Sequence, residues 1–201
     1  GECATQEVCR RLLGLIDDPA AQAFLSYQLS DEEKHAAVFA RYIQRLGDIA
    51  PMESAMEKAL DGSLTWQGSK YGQPIGLLVS FHIVFESGAL LLLDNLVRRF
   101  PCPLFRSIIA KVVKDEARHI AFGLKYVQAH IAKVSKEERC AIYVHVAKLW
   151  GECARSAESR YTLPVALATR IGSNWLAQNW LRQKKQLIRI GLVTEDDINR
   201  I

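Results

Sequence analysis

Asp115-Glu116-Ala117-Arg118-His119 has a counterpart earlier in the chain, Asp31-Glu32-Glu33-Lys34-His35. Both read Asp followed by Glu-x-x-His, and both sit inside long stretches of helical periodicity. Residues three apart share a helix face, so each copy offers one carboxylate and one imidazole to a common point. Two further acids stand apart: Glu86, inside an apolar run, and Glu2, near the start. Four glutamates and two histidines in this arrangement form a donor set for two metal ions in the core of a helix bundle.

The spacing supports the pairing. Glu2 and Glu32 are 30 positions apart, as are Glu86 and Glu116. The midpoints are Asp17, beside Asp18-Pro19, and Pro101, within Phe100-Pro101-Cys102-Pro103. Both are helix-breaking, turn-forming sequences. Each interval therefore reads as helix, tight turn, antiparallel helix, with both glutamates roughly 22 Å from the turn. Two such hairpins bring four carboxylates to one level. Glu7 is five residues out of register with Glu32, so Glu2 is the better candidate. Ser30-Asp31-Glu32-Glu33 also fits a capping box, but the residues before it already read as helix.

Within this set, Glu2 and Glu86 are expected as terminal ligands, Glu32 and Glu116 as bridging ones, and His35 and His119 as one imidazole per ion. Asp31 and Asp115 are expected to accept the free imidazole N–H of the opposite motif's histidine, fixing its tautomer. Oxygen and nitrogen donors suit iron or manganese rather than a thiolate-loving metal. Glu86 lies in a run, 75–93, that is apolar nearly all round, as in a buried helix. A carboxylate there costs several kcal/mol, by order of magnitude, unless paired or metal-bound. The run is long enough to span a membrane, but Glu86 and His82 near its middle argue against that. His82, four residues before Glu86, is expected as a hydrogen-bonded core histidine.

The chain has 201 residues, enough for one domain over 1–201: a metal-binding bundle over 1–133 and C-terminal helices over 135–201. Hydrophobic content of 49% with 24% charged residues fits a globular protein, and the net charge of +4 is mild. No basic cluster interleaved with aromatics points to nucleic acid. Five scattered cysteines without a Cys-x-x-Cys pair fit a reducing, cytoplasmic setting. No signal-peptide pattern opens the chain. Gly1, without an initiator Met, stands directly beside a candidate ligand, as in a fragment whose upstream segment completes the first helix.

The fold expected is all-α, a four-helix bundle with one long crossover and two additional C-terminal helices. Helices are expected over 1–15, 19–46, 50–60, 75–99, 103–133, 135–161 and 164–190, with a last turn capped by Thr194. Ser135 and Glu138 form a capping box, 61–74 reads as loop with Trp66 and Tyr71 packing over the bundle, and Gly191 ends the last long helix. No strand pattern is present.

Three stretches carry a resemblance: Gly1-Glu2-Cys3-Ala4, Asp31 to His35 with Val38-Phe39, and Asp115 to His119 followed by Ile120-Ala121-Phe122-Gly123. Over about residues 1–130 the chain resembles the ferritin-like superfamily, and within it di-iron oxygenases of the p-aminobenzoate N-oxygenase and ribonucleotide reductase small-subunit type. The resemblance implies two iron ions, or manganese with iron, that activate O2 to oxidise a small organic substrate, as an oxygenase (monooxygenase) or oxidase. It also implies an external electron donor, a ferredoxin or a reductase, since no flavin, NAD or iron–sulfur motif is present. Val112 stands where the N-oxygenases carry an additional histidine ligand, and Phe39 where most reductase subunits carry a radical tyrosine; Tyr42 reads as packing. The C-terminal helices could line a substrate channel or form a homodimer interface. A ferroxidase or metal-storage protein, and a non-catalytic helical binding protein that keeps the site, are the alternative expectations.

Overall fold

The computed structural model describes residues 1–48, 54–160 and 173–201. Among these the protein is all-helical, without a strand. The elements are α1 (Glu2–Leu15), α2 (Pro19–Gln44), α3 (Ser54–Leu64), α4 (Gly72–Leu78), a π-helical stretch (Val79–Phe85), α5 (Glu86–Arg99) and α6 (Pro103–His130). Then come a 3-10 turn (Ile131–Lys133), α7 (Lys136–Arg160), α8 (Ser173–Arg189) and α9 (Glu195–Arg200).

Two hairpins position the site. The links Ile16-Asp17-Asp18 and Phe100-Pro101-Cys102 are centred on the midpoints read from the glutamate spacing. Proline opens the second helix of each, where its missing N–H costs nothing. Asp18 caps α2 by accepting from the Ala20 amide at 3.0 Å, and Cys102 Sγ accepts from the Phe105 amide at 3.5 Å. α1 packs along α2, and α6 packs along the continuous helix built from α4, the π stretch and α5. α3 lies mainly on α7, which also meets α8 and the π stretch. Leu12, Leu25, Ile75, Leu78 and Leu187 are fully buried between these helices. Each contributes about 1.5–3 kcal/mol through burial.

Several boundaries differ from the sequence reading. Residues 61–64 continue α3, and Gly72 already begins α4, so the loop is only 65–71. Pro74 falls in the first helical turn, where the amide it lacks would have had no partner. Trp66 does pack against the core, donating from Nε1 to Gly72 O at 3.2 Å. α2 stops at Gln44, and its last carbonyls bond the amides of Arg45, Leu46 and Gly47. Ser30 lies inside α2, not at a helix start. Ser135 Oγ accepts from the Glu138 amide at 3.1 Å, but the Glu138 carboxylate turns away to Ser69, accepting from its amide and hydroxyl, both at 2.7 Å. Gly191, at φ +81°, closes α8: its amide bonds Ile188 O and the Leu192 amide bonds Leu187 O, the paired bonds of a Schellman stop. Thr194 and Asp197 form a full capping box at α9. The expected ends at Ala50, Tyr161 and Pro164 lie outside the described residues.

The largest difference is the π stretch. The helix expected over 75–99 is unbroken but under-wound in the middle, and the Glu86 amide bonds Phe81 O, five residues back. Gln183 Nε2 of α8 donates to Val84 O at 3.2 Å, giving a carbonyl of this stretch a partner. By length and composition Gly72–Arg99 could cross a membrane, yet 67% of its most apolar window is buried inside the protein.

Candidate metal centre

α2 brings Glu32 and His35 inward, α6 brings Glu116 and His119, the long helix brings Glu86, and the first turn of α1 brings Glu2. Five of the six are buried, with relative exposures of 1% for Glu32, 4% for His35, 5% for Glu86, 4% for Glu116 and 1% for His119. Glu2 is partly exposed. At such burial a carboxylate without a partner or a cation is strongly destabilising.

The donor atoms fall into two groups. One oxygen each from Glu32, Glu86 and Glu116 and a nitrogen of His119 lie within 4.8 Å of one another, and so do donors of Glu2, His35 and Glu116. Glu116 belongs to both groups. Glu32 also reaches both histidines: Oε1 is 3.0 Å from His119 Nδ1, and Oε2 is 3.5 Å from His35 Nδ1. Glu116 mirrors this, with Oε1 3.2 Å from His35 Nδ1 and Oε2 3.3 Å from His119 Nδ1. The two Glu-x-x-His glutamates thus stand between the two histidines, each of which turns Nδ1 toward the carboxylates.

Several carboxylate or imidazole atoms of the cluster lack a hydrogen-bond partner despite full burial, among them Glu32 Oε2, Glu86 Oε2 and His35 Nδ1. His35 Nδ1 is close to two carboxylates yet aligned with neither. Buried donors within 4.8 Å of one another, some of them without a partner, could hold a metal ion.

On the outer side, His35 Nε2 lies 3.2 Å from Asp115 Oδ2. The matching His119 Nε2–Asp31 Oδ2 distance is 3.7 Å, too long for a hydrogen bond. Each aspartate faces the opposite motif's histidine, but the two contacts are unequal. Arg118 Nη2 joins them, 2.6 Å from Asp115 Oδ1 and 3.3 Å from Asp31 Oδ2.

A second polar layer lies beyond what the sequence reading anticipates. Gln28, four residues before Glu32, donates from Nε2 to Glu86 Oε1 at 3.0 Å, with Glu32 Oε1 at 3.5 Å. Its carbonyl then faces His82 Nε2 at 2.9 Å, so that nitrogen carries the proton and donates. His82 is thus a bonded core histidine, as its position on the Glu86 helix suggested. The i, i+4 spacing of Gln28 and Glu32 was the sequence signal for this contact. Val112 is buried four residues before Glu116, and Tyr42 stacks on Phe105 near the hairpin turn. Ten residues separate Tyr42 from Glu32, roughly 15 Å along α2.

Without a metal the cluster keeps its charges balanced with protons. Burial pushes Glu86 well above the ordinary carboxylate range, reinforced by Glu116. Burial, with Glu32 and Glu116, raises Glu2 to about 7. Burial acts against charge on Glu32 and Glu116 too, but bonding to His119 and His35 outweighs it and lowers both. The histidines respond in turn: burial opposes their charge, yet Glu116, Glu32 and Asp115 raise His35 to about 11, and Glu116 and Glu32 raise His119 to about 10. His82, fully enclosed, is driven down to about 3 by burial and stays neutral.

On the carboxylate side, a cavity of about 310 Å³ reaches Glu2, Glu86 and Glu116. Its walls are mostly aromatic and aliphatic, including Phe81, Phe85, Trp150 and Trp175. His35 and His119 are not among its lining residues. No protein-family model matches the chain, and a search of the curated proteins returned no match.

Proposed function

We propose that the protein is a ferritin-like di-metal oxidoreductase. Glu2 and His35 would hold one ion, Glu86 and His119 the other, with Glu32 and Glu116 shared between them. Two ferrous ions, or manganese with iron, would supply O2 activation and the oxidation of a small organic substrate.

The observation that carries this reading is that Glu116 belongs to both donor groups while an apolar cavity opens on Glu2, Glu86 and Glu116. The first part supports a paired rather than a single ion; the second supplies room for a substrate beside it. The chain's own residues do three things. The glutamates and histidines bind. Asp115 holds the His35 ring in one orientation, and Gln28 holds one oxygen of Glu86, leaving the other turned to the cluster. The aromatic walls keep water away, which strengthens every electrostatic contact within. Electrons would come from an external ferredoxin or reductase in a reducing, cytoplasmic setting.

The test is anaerobic loading with Fe(II), metal analysis, and rapid mixing with O2. Two irons per chain, stoichiometric O2 consumption and a transient visible absorption support the reading. Iron oxidation that continues for many equivalents, in a cage-sized assembly, would replace it with metal storage. A folded chain that takes up no metal would leave a helical binding protein.

A further inference from the structure

The cavity beside the cluster differs in kind from the rest of the site. Beyond Glu2, Glu86 and Glu116, most of its wall comes from three parts of the chain. The long helix gives Phe81, Phe85 and Ala89, α7 gives Trp150, and α8 gives Trp175 and Leu176. The π stretch is what aims the long helix. In an α-helix, residues five apart diverge by about 140°. The i to i−5 bond between the Glu86 amide and Phe81 O brings these two residues one turn apart on one face. The same side of the helix therefore carries an aromatic wall and a ligand carboxylate. Gly88 adds to the fit: a Cβ there would lie 3.0 Å from the Trp150 ring and would push it back by a few tenths of an ångström.

We infer that this cavity binds a small, uncharged, aromatic or otherwise apolar molecule directly against the carboxylate side of the cluster, with α7 and α8 forming its outer wall. The volume lies at the lower end of small-molecule pockets, about 300–1,000 Å³. Among the described residues, no Lys, Arg or His side chain lines it. The polar side chains among them are Glu2, Glu86, Glu116, the Thr5 hydroxyl and the Cys153 thiol. An anionic guest would find no cationic side chain among the described lining residues. A cationic guest would find those carboxylates committed to metal. A charged guest thus loses its hydration without a side-chain counter-ion, which is strongly unfavourable. An aromatic ring loses little and gains contacts with Phe81, Phe85 and the two tryptophans. On this assignment the C-terminal helices close the pocket over the bundle.

The identity of this guest as a substrate and the exclusion of a cationic one rest on the proposed metal-centre reading; the binding of an apolar guest does not, and the experiment separates the two. The full chain, loaded anaerobically with Fe(II) and assayed for metal, is titrated by calorimetry with indole, benzoate and benzylammonium as neutral, anionic and cationic probes. The titration is repeated without added metal and with Ala89→Phe and Leu92→Trp, each of which fills the cavity from the long helix. Indole is expected to bind at least about tenfold more tightly than either ion, and each filling variant to weaken it about tenfold or more while metal content and far-UV circular dichroism stay unchanged. Benzoate or benzylammonium binding as tightly as indole overturns the inference, as does indole binding that ignores both variants, or no binding to a chain holding two metals. A chain that binds indole selectively but takes up no metal keeps the pocket and overturns the functional reading instead.

Discussion

Asp115 Oδ2 lies 3.2 Å from Nε2 of His35, a contact made across the bundle from α6 to α2. It turns Nδ1 of that ring toward Glu116 and Glu32. Asp31 stands farther from His119, at 3.7 Å. Asp115→Asn should therefore lower affinity for the ion at His35 by about 10–100-fold. Asp31→Asn should have the smaller effect. Competition with a chelator during Co(II) titration reads both, and equal losses would contradict the asymmetry.

Metal uptake should release protons. In the metal-free cluster His35 and His119, raised to about 11 and about 10, hold protons at neutral pH, Glu2 is raised to about 7, and burial favours the protonated form of Glu86. Divalent ions replace these protons, so affinity should rise with pH. Calorimetry of Mn(II) binding in buffers of differing ionisation enthalpy should give about two or more protons per two ions at pH 7, from the two histidines and part of Glu2. Release of fewer than two would show that the cluster is not held together this way.

The metal-free protein should also lose stability in alkali. The folded values of His35, about 11, and His119, about 10, lie above the ordinary 6.5. Their stabilisation is therefore complete below pH 6.5 and is lost as pH rises toward 10–11. Glu2 and Glu86, raised as well, act in the same direction at lower pH, whereas the lowered Glu32 and Glu116 matter only in acid. Thermal melts of metal-free protein should fall in Tm between pH 7 and 9, and metal loading should flatten the slope. A Tm that rises over this range without metal would contradict the balance.

Much of the site was legible because it repeats. Two Glu-x-x-His motifs, each 30 residues after an acid with a breaker midway, locate both turns and the level of the cluster. The π stretch was not legible, and the reason is the same apolar run that identified a buried helix. Where nearly every residue from 75 to 85 is apolar, hydropathy has no phase, and a change from 3.6 residues per turn leaves no mark. The 61–74 segment misled in the opposite way. Its glycines and Pro74 read as breakers, yet Gly62 lies within α3 close to Leu149, and Pro74 sits where a helix tolerates it. Gln28 escaped notice because its partners, Glu86 and His82, come from another hairpin.

Gln28→Leu removes one side chain but strands two others, Glu86 Oε1 and His82 Nε2. Each buried orphan costs about 1–3 kcal/mol. Urea unfolding of the metal-free variant should show a loss in that range or above, although leucine is more apolar. A neutral result would mean that the amide does not hold Glu86.

Gly123→Ala sets two effects against each other. Alanine favours helix by about 1 kcal/mol. A Cβ at this position, however, would lie 2.5 Å from His82 Cβ, where α6 meets the π stretch. Overpacking of this kind costs about 1–3 kcal/mol. The variant should be less stable than the parent in urea, and a more stable one would contradict the close approach.

Metal stoichiometry in Glu116→Ala, beside the parent chain and the exposed Glu33→Ala, tests the shared carboxylate most directly. The parent and Glu33→Ala should each hold two Fe(II) ions per chain under anaerobic loading. Glu116→Ala, folded by circular dichroism, should lose at least one. Two ions retained in Glu116→Ala would contradict the account at its centre.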